Sequence, residues 1–358
     1  MSPQARRLRW LVMAGVSATF VALWAATPRH VVVSGRSMLP GLATGDVVSL
    51  GWWQPWRHTP RRYERWLVRM PDGTALIKRI AGLPGEVVEV NGGDLLINGK
   101  RLLPSPHQLQ ETASRVTGGT WNTQVRDTVS WQEYRHLVED ASQRVDQAAR
   151  LVPGPIYDGL DEDPDERRRL VPTANVGIAA IVERHPSAAA GDIYVRVGPQ
   201  AAAIRLHAPG RHSVICGRVA SRFVVAVKQL DEATQQKRLF PSSPIAWPVS
   251  EDWSLTSDAK PLVIGEGAPL MALGLEDAER ARGTTTLHDI TVWKTTHLLP
   301  APDGKSRWTV PAEHVFLLGD HPAASRDSRH FGPVAASALV SSVQKLDRTA
   351  RRLVGPEH

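Results

Sequence analysis

Short apolar runs separated by turn residues set the rhythm of this chain. In residues 67–103 the segments "WLVRM", "TALIKRIAG", "EVVEV" and "DLLING" are divided by Asp72-Gly73, Pro84-Gly85 and Asn91-Gly92-Gly93. Hairpin-type turns at this regular spacing predict an antiparallel β-domain. Residues 31–50 predict further β-structure, with "VVV" and "DVVSL" on either side of a turn. Beyond the middle of the chain, "GDIYVRVG", "AAIRLHA", "HSVICGRV" and "RFVVAVKQL" predict a four-stranded meander. "KPLVIGEG", "LMALGLE" and "TLHDITVWKT" continue the strand-like pattern to residue 296.

One segment has helical spacing instead. Ser130 and Glu133 make a capping-box pair, and Trp131, Tyr134, Leu137, Val138, Ala141, Val145 and Ala148 follow at intervals of three and four, before Pro153. This predicts an amphipathic helix with its stripe turned to a core. "DGLDEDPDERRRL", residues 158–170, reads as a solvated linker. Residues 105–300 together predict an insertion that folds largely by itself as a β-sandwich containing that helix.

The amino terminus differs from all of this. Residues 10–26, "WLVMAGVSATFVALWAA", are uncharged, follow Arg6, Arg7 and Arg9, and carry Trp10 and Trp24 near their ends. A helix needs about 17–25 such residues to cross a bilayer, and the arginines predict an inside amino terminus. A cleavable signal peptide would need small residues before its cut, and Trp24 or Leu23 would stand there. The expected layout is therefore a cytoplasmic tail (1–9), a transmembrane helix (10–27), a first catalytic part (28–104), the insertion (105–300), a second catalytic part (301–345) and a tail (346–358). The fold class expected is mainly β. The cell (inner) membrane is the expected location, with the bulk of the chain outside.

Composition narrows the function. At 358 residues the chain is too long for one average domain. The single cysteine, Cys216, excludes an internal disulfide framework. The net charge of +7 is scattered, and no zinc-ligand spacing, helix-turn-helix or aromatic-basic RNA motif accompanies it, so nucleic acid is not an expected partner. Trp52, Trp53, Trp56, Tyr63 and Trp66 lie among arginines in "GWWQPWRHTPRRYERW". They read either as locally packed rings of a surface loop or as a patch dipping into lipid headgroups.

Candidate chemistry centres on Ser37 in "GRSMLPGL". A serine hydroxyl needs a base, and no Gly-x-Ser-x-Gly elbow or recognisable histidine partner is present. A lysine kept neutral by burial is another solution. Lys78, in "ALIKRIAGLPGE", shares a strand face with Leu76 and Ile80, whereas Arg79 points the other way. Holding such an amine neutral near pH 7–8 takes roughly 4 kcal/mol.

Three segments occur in a telling order: "GRSMLPGL", then "IKRIAGLPGE" with "LLINGK", then "LLGDHPAASRDSRHFGPV". They resemble the blocks of bacterial type I signal peptidases, the membrane-anchored Ser-Lys proteases that remove signal peptides, across residues 1–104 and 311–345. The resemblance implies Ser37 as nucleophile and Lys78 as general base. It implies that Ser325 hydrogen-bonds the lysine amine, that Asp327 and Arg329 form a supporting ion pair, and that Gly319 and Asp320 shape the site wall. Met38 and Pro40 would line the substrate pocket. The Ser37 backbone N–H, with Ser34, would form the oxyanion hole. No metal or cofactor is implied; the implied partners are signal-peptide-bearing preproteins and the lipid bilayer.

The chain also departs from the family pattern. His321 stands where asparagine is usual, Gly41 where threonine is common, and Gly35 where some members use serine. Two rivals stay open. One is an inactive relative whose insertion is an envelope glycan- or protein-binding module. The other is a self-cleaving repressor, which would carry a DNA-binding domain where this chain has its apolar run.

Overall fold

The protein is known as a computed structural model, which describes residues 29–51, 59–145, 148–160, 163, 170–188, 190–231, 249–258, 271–276, 280 and 282–346. The apolar run at 10–26, the piece "KPLVIGEG" and residues Trp52, Trp53 and Trp56 lie outside them. Among the described residues no helix is long and apolar enough to cross a membrane.

Strands from both ends of the chain build one antiparallel sheet of seven. Its order is Arg29–Val32, Val47–Leu50, Leu339–Lys345, Arg65–Arg69, Ala75–Gly82, His314–Leu318 and Val334–Ala335. A smaller sheet likewise joins Arg307–Thr309 to Val87–Asn91, Asp94–Ile97 and Lys100–Arg101. The turns expected at Asp72-Gly73 and at residues 91–93 do connect paired neighbours. Trp66, Val68, Ile80, Val315, Leu317 and Leu339 bury a common core beneath the large sheet. Trp66 is thus a core residue and not part of a membrane-facing patch.

The middle of the chain forms two further sheets. Six strands run in the order Leu255–Asp258, Arg222–Gln229, Gly210–Val219, Val176–Arg184, Thr285–Lys294 and Ser114–Arg115. Five more run Gln200–Leu206, Gly191–Val197, Met271–Glu276, Val129–Arg135 and Thr120–Arg126. Ile178, Val214 and Val225 of the first sheet share one buried cluster with Val195 and Leu273 of the second. Strict alternation along Gly191–Val197, with every second residue buried, is what a sheet with one face in that cluster demands.

Three expectations need correction here. The stretch expected to be helical forms strands instead: Val129–Arg135, Leu137–Val145 and Ala148–Pro153. Ser130 caps nothing; it accepts a hydrogen bond from Arg280, and Glu133 pairs with Arg126 at 3.0 Å. Strand partners on both sides of Val129–Arg135 satisfy its backbone in a way that local spacing cannot reveal. A helix does occur earlier in this region, at Pro106–Thr112, capped reciprocally by Ser105 and Gln108. The four-stranded meander is broken as well. Gln200–Leu206 and Gly210–Val219 belong to different sheets, so the chain crosses between layers at residues 207–209. Finally, the acidic stretch at 158–170 is not wholly solvated: Asp158 is fully buried and Asp163 is 5% exposed.

Candidate active site

Ser37 sits in a turn between the paired strands Arg29–Val32 and Val47–Leu50. The loop is closed by backbone hydrogen bonds from Val33 to Asp46 and from Gly45 to Val33, and tightened by those from Leu39 to Arg36 and from Leu42 to Met38. The Lys345 ammonium ties it down from the last strand, 2.9 Å from Asp46 Oδ2 and 3.0 Å from the Gly41 carbonyl. The Leu39–Pro40 peptide is cis. Met38 is buried in a cluster with Val33, Leu42, Val48 and Val343, and Pro40 is buried too. Ser34 is exposed, separated from Ser37 by Gly35 and Arg36.

The strand Ala75–Gly82 carries Lys78 opposite Trp66 of the neighbouring strand. Its amine reaches Ser37 Oγ at 2.8 Å. Lys78 is only 2% exposed. Burial pulls its pKa down from 10.5 to about 8; the charges of Asp327 and Asp320 resist this, and Arg329 adds to it. At neutral pH a measurable share of the amine is therefore free to accept a proton. The alternation read from sequence holds, because Arg79 turns to the opposite face and pairs with Asp320.

The last block closes over this pair. Asp327 receives Arg329 Nε at 2.8 Å and Nη2 at 2.9 Å, plus the Gly319 amide at 3.0 Å. It also caps the short helix Ser328–Phe331. Burial would raise the Asp327 pKa, but these hydrogen bonds and the Arg329 charge bring it below the ordinary value. Gly319 permits a close approach: a Cβ there would fall 2.2 Å from Ser325 Oγ and 2.5 Å from the Ser37 carbonyl oxygen. Ser325 is buried near Asp327, yet its hydroxyl does not make the expected hydrogen bond to the lysine amine. The backbone N–H of His321 donates to the Ser37 carbonyl at 3.1 Å.

Asp320 lines a cavity together with Gly319 and Pro322, and it also holds a cation. It takes Arg79 in a bidentate pair, both contacts at 2.7 Å. Arg65 lies 3.7 Å away, and Glu111 of the helix Pro106–Thr112 reaches Arg79 at 2.9 Å. Two guanidinium groups and two carboxylates thus occupy a site largely withdrawn from water, where one alone would be costly. Gly41 makes room for them, since a Cβ there would meet Arg65 Nη2 at 2.5 Å and the Glu111 carbonyl at 2.8 Å. The absence of threonine at this position follows from that packing. Among the described residues no group of three or more His, Cys, Asp or Glu is placed to hold a metal.

Sequence reasoning missed Glu111 and Asp163, both from residues 105–300. Asp163 contacts Arg36 and His321. Neither acid stands in a motif, and their partners are 32 and 127 residues away along the chain.

Comparison with known proteins gives the same direction. The family described as "Signal peptidase, peptidase S26" matches residues 5–150 and 262–346, well over half of the chain. The chain is also similar to "Signal peptidase I V" of Bacillus subtilis (strain 168), with 30% identity over 115 residues, which is 31% of this chain and 68% of that protein. Together with the arrangement around Ser37 and Lys78, these matches establish that the chain belongs to the S26 family of signal peptidases.

Proposed function

We propose that this chain is a membrane-anchored serine endopeptidase that cuts signal peptides from exported preproteins with a Ser37–Lys78 dyad. The observation that carries this reading is the 2.8 Å contact between Lys78 Nζ and Ser37 Oγ, made by an amine whose pKa lies near 8. Once the amine is neutral, the contact reverses its sense and the Ser37 hydroxyl donates to it. Lys78 then takes that proton as Ser37 Oγ attacks the scissile carbonyl. The protonated amine delivers it to the departing amino group, leaving an acyl-enzyme. Water activated by the same amine hydrolyses the ester and restores Ser37.

The remaining residues support those two. Asp327 and Arg329 fix the Gly319 peptide against the loop, and the Ser37 backbone N–H serves the developing oxyanion; such a donor is typically worth about 10²–10³ in rate. The catalytic part is assembled from 28–104 and 301–345, with 105–300 as an insertion. The apolar run at 10–26 holds the enzyme at the outer membrane face, so protease and precursor meet in two dimensions at raised effective concentration.

Full-length protein in detergent, incubated with a signal-peptide-bearing preprotein, tests this. Ser37→Ala and Lys78→Ala should each abolish the mature product while the melting profile stays near that of the parent. Processing by Lys78→Ala at the parent rate would refute the dyad.

A further inference from the structure

We propose that Asp163, contributed by the insertion, is a positioning residue for the Ser37 loop. This inference rests on the reading of Ser37 as nucleophile. Two peptide units flank that serine. The first joins Arg36 to the Ser37 N–H; the second carries the Ser37 carbonyl, which accepts from the His321 backbone N–H at 3.1 Å. One Asp163 carboxylate meets a side chain at each of these points: Arg36, which precedes the serine, and His321, whose backbone engages the serine carbonyl. Its Oδ1 accepts a hydrogen bond from Arg36 Nη1, and its Oδ2 lies 3.4 Å from His321 Nδ1.

The setting makes this contact firm. The side chains of Asp163 and His321 are 3% and 1% exposed, so the carboxylate meets its partners with little competition from water. Arg36 is 43% exposed and reaches inward to the acid from the rim. His321 replaces the asparagine that the family pattern leads one to expect, and it faces an acid that this chain brings from 127 residues beyond Arg36. The loop itself is already closed by its own backbone hydrogen bonds and by Lys345. The added grip therefore acts on where the nucleophile sits, more than on whether the loop forms. Displacement of a reacting group by ~1 Å can cost on the order of 10²-fold in rate.

Steady-state cleavage of a preprotein by the full-length protein in detergent tests the proposal, with parent, Asp163→Asn, Asp163→Glu, Arg36→Gln, the Arg36→Gln/Asp163→Asn double variant and Ser37→Ala. Asp163→Asn should lower kcat by about 10- to 100-fold with KM and melting temperature close to the parent's. Asp163→Glu should recover part of the loss, and the double variant should be no slower than Asp163→Asn. Parental kcat in Asp163→Asn, or a loss confined to KM, overturns the proposal. Should Asp163→Asn fail to fold, Arg36→Gln at the more exposed end of the contact decides: a reduced kcat supports the positioning role, and an unchanged one overturns it. If Ser37→Ala keeps activity, the dyad itself has failed; if Ser37→Ala is inert while Asp163→Asn is fully active, only the role of Asp163 has.

Discussion

Replacing Lys78 with methionine should make the protein more stable near neutral pH while destroying its activity. The amine ionises at about 8 in the fold against 10.5 when free. Below pH 8 it is charged in both folded and unfolded chains, and the fold bears the whole penalty of burying it. Above pH 10.5 it is neutral in both, and the penalty is gone. A depression of about 2.5 pK units at 1.36 kcal/mol each amounts to roughly 3 kcal/mol. Lys78→Met removes this penalty but also loses the contact with Ser37 Oγ, worth about 1 kcal/mol. The variant should therefore exceed the parent by about 2 kcal/mol at pH 7 and fall slightly below it by pH 10.5, so the two curves cross. Thermal melts of both proteins in one detergent, followed by tryptophan fluorescence from pH 6 to 10.5, would reveal this as a shift of roughly 4 °C at the neutral end. Other titrations are common to both proteins and cancel in the difference. A gap that is the same at pH 7 and pH 10, or a parent that is the more stable at both, would show that the amine carries no desolvation penalty.

With Lys78 as the base, kcat/KM should climb about tenfold per pH unit up to about 8 and then level off, leaving roughly 1% of the plateau at pH 6. A flat profile between pH 6 and 8 in a peptide-cleavage assay would remove Lys78 as the base. Gly319→Ala should cost about 1–3 kcal/mol and most of the activity, because its methyl group would be driven into Ser325 Oγ and the Ser37 carbonyl. Parental melting and turnover in that variant would show that the block can shift freely. Asp320→Ala should destabilise by about 3 kcal/mol, since it leaves the buried Arg79 without its bidentate partner. Chemical denaturation measures this, and a midpoint within error of the parent's would contradict it.

What could be read from the sequence follows the range of the interactions. The strand holding Lys78 was legible because its turns are adjacent in sequence and its alternation is local. The inward lysine beside an outward Arg79 needed nothing more. Ser37 and Lys78 lie 41 residues apart, yet the short motifs around each singled out the pair that the fold brings into contact. Helical spacing misled at 130–148 because Ser130 and Glu133 imitate a cap, whereas their true partners, Arg280 and Arg126, become visible only once strands from elsewhere in the chain are aligned. Met38 suited a pocket by its place beside Ser37, but Val343 from the last strand helps enclose it. Asp163 sits in a run of charges that ordinarily stays in water. The approach of Arg36 and His321, from far along the chain, is part of what withdraws it.

The helix Pro106–Thr112 has a consequence for anyone wishing to trim this enzyme. Leu109 is sunk among Ile215, Val224 and Trp293, while two residues later Glu111 extends to Arg79, the strand neighbour of Lys78. Fewer than two helical turns thus belong to both halves at once. A truncation at 104 would strip Arg65 and Arg79 of an acid, and one at 113 would leave Leu109 facing solvent. The segment behaves as a shared rivet, and neither half comes away clean.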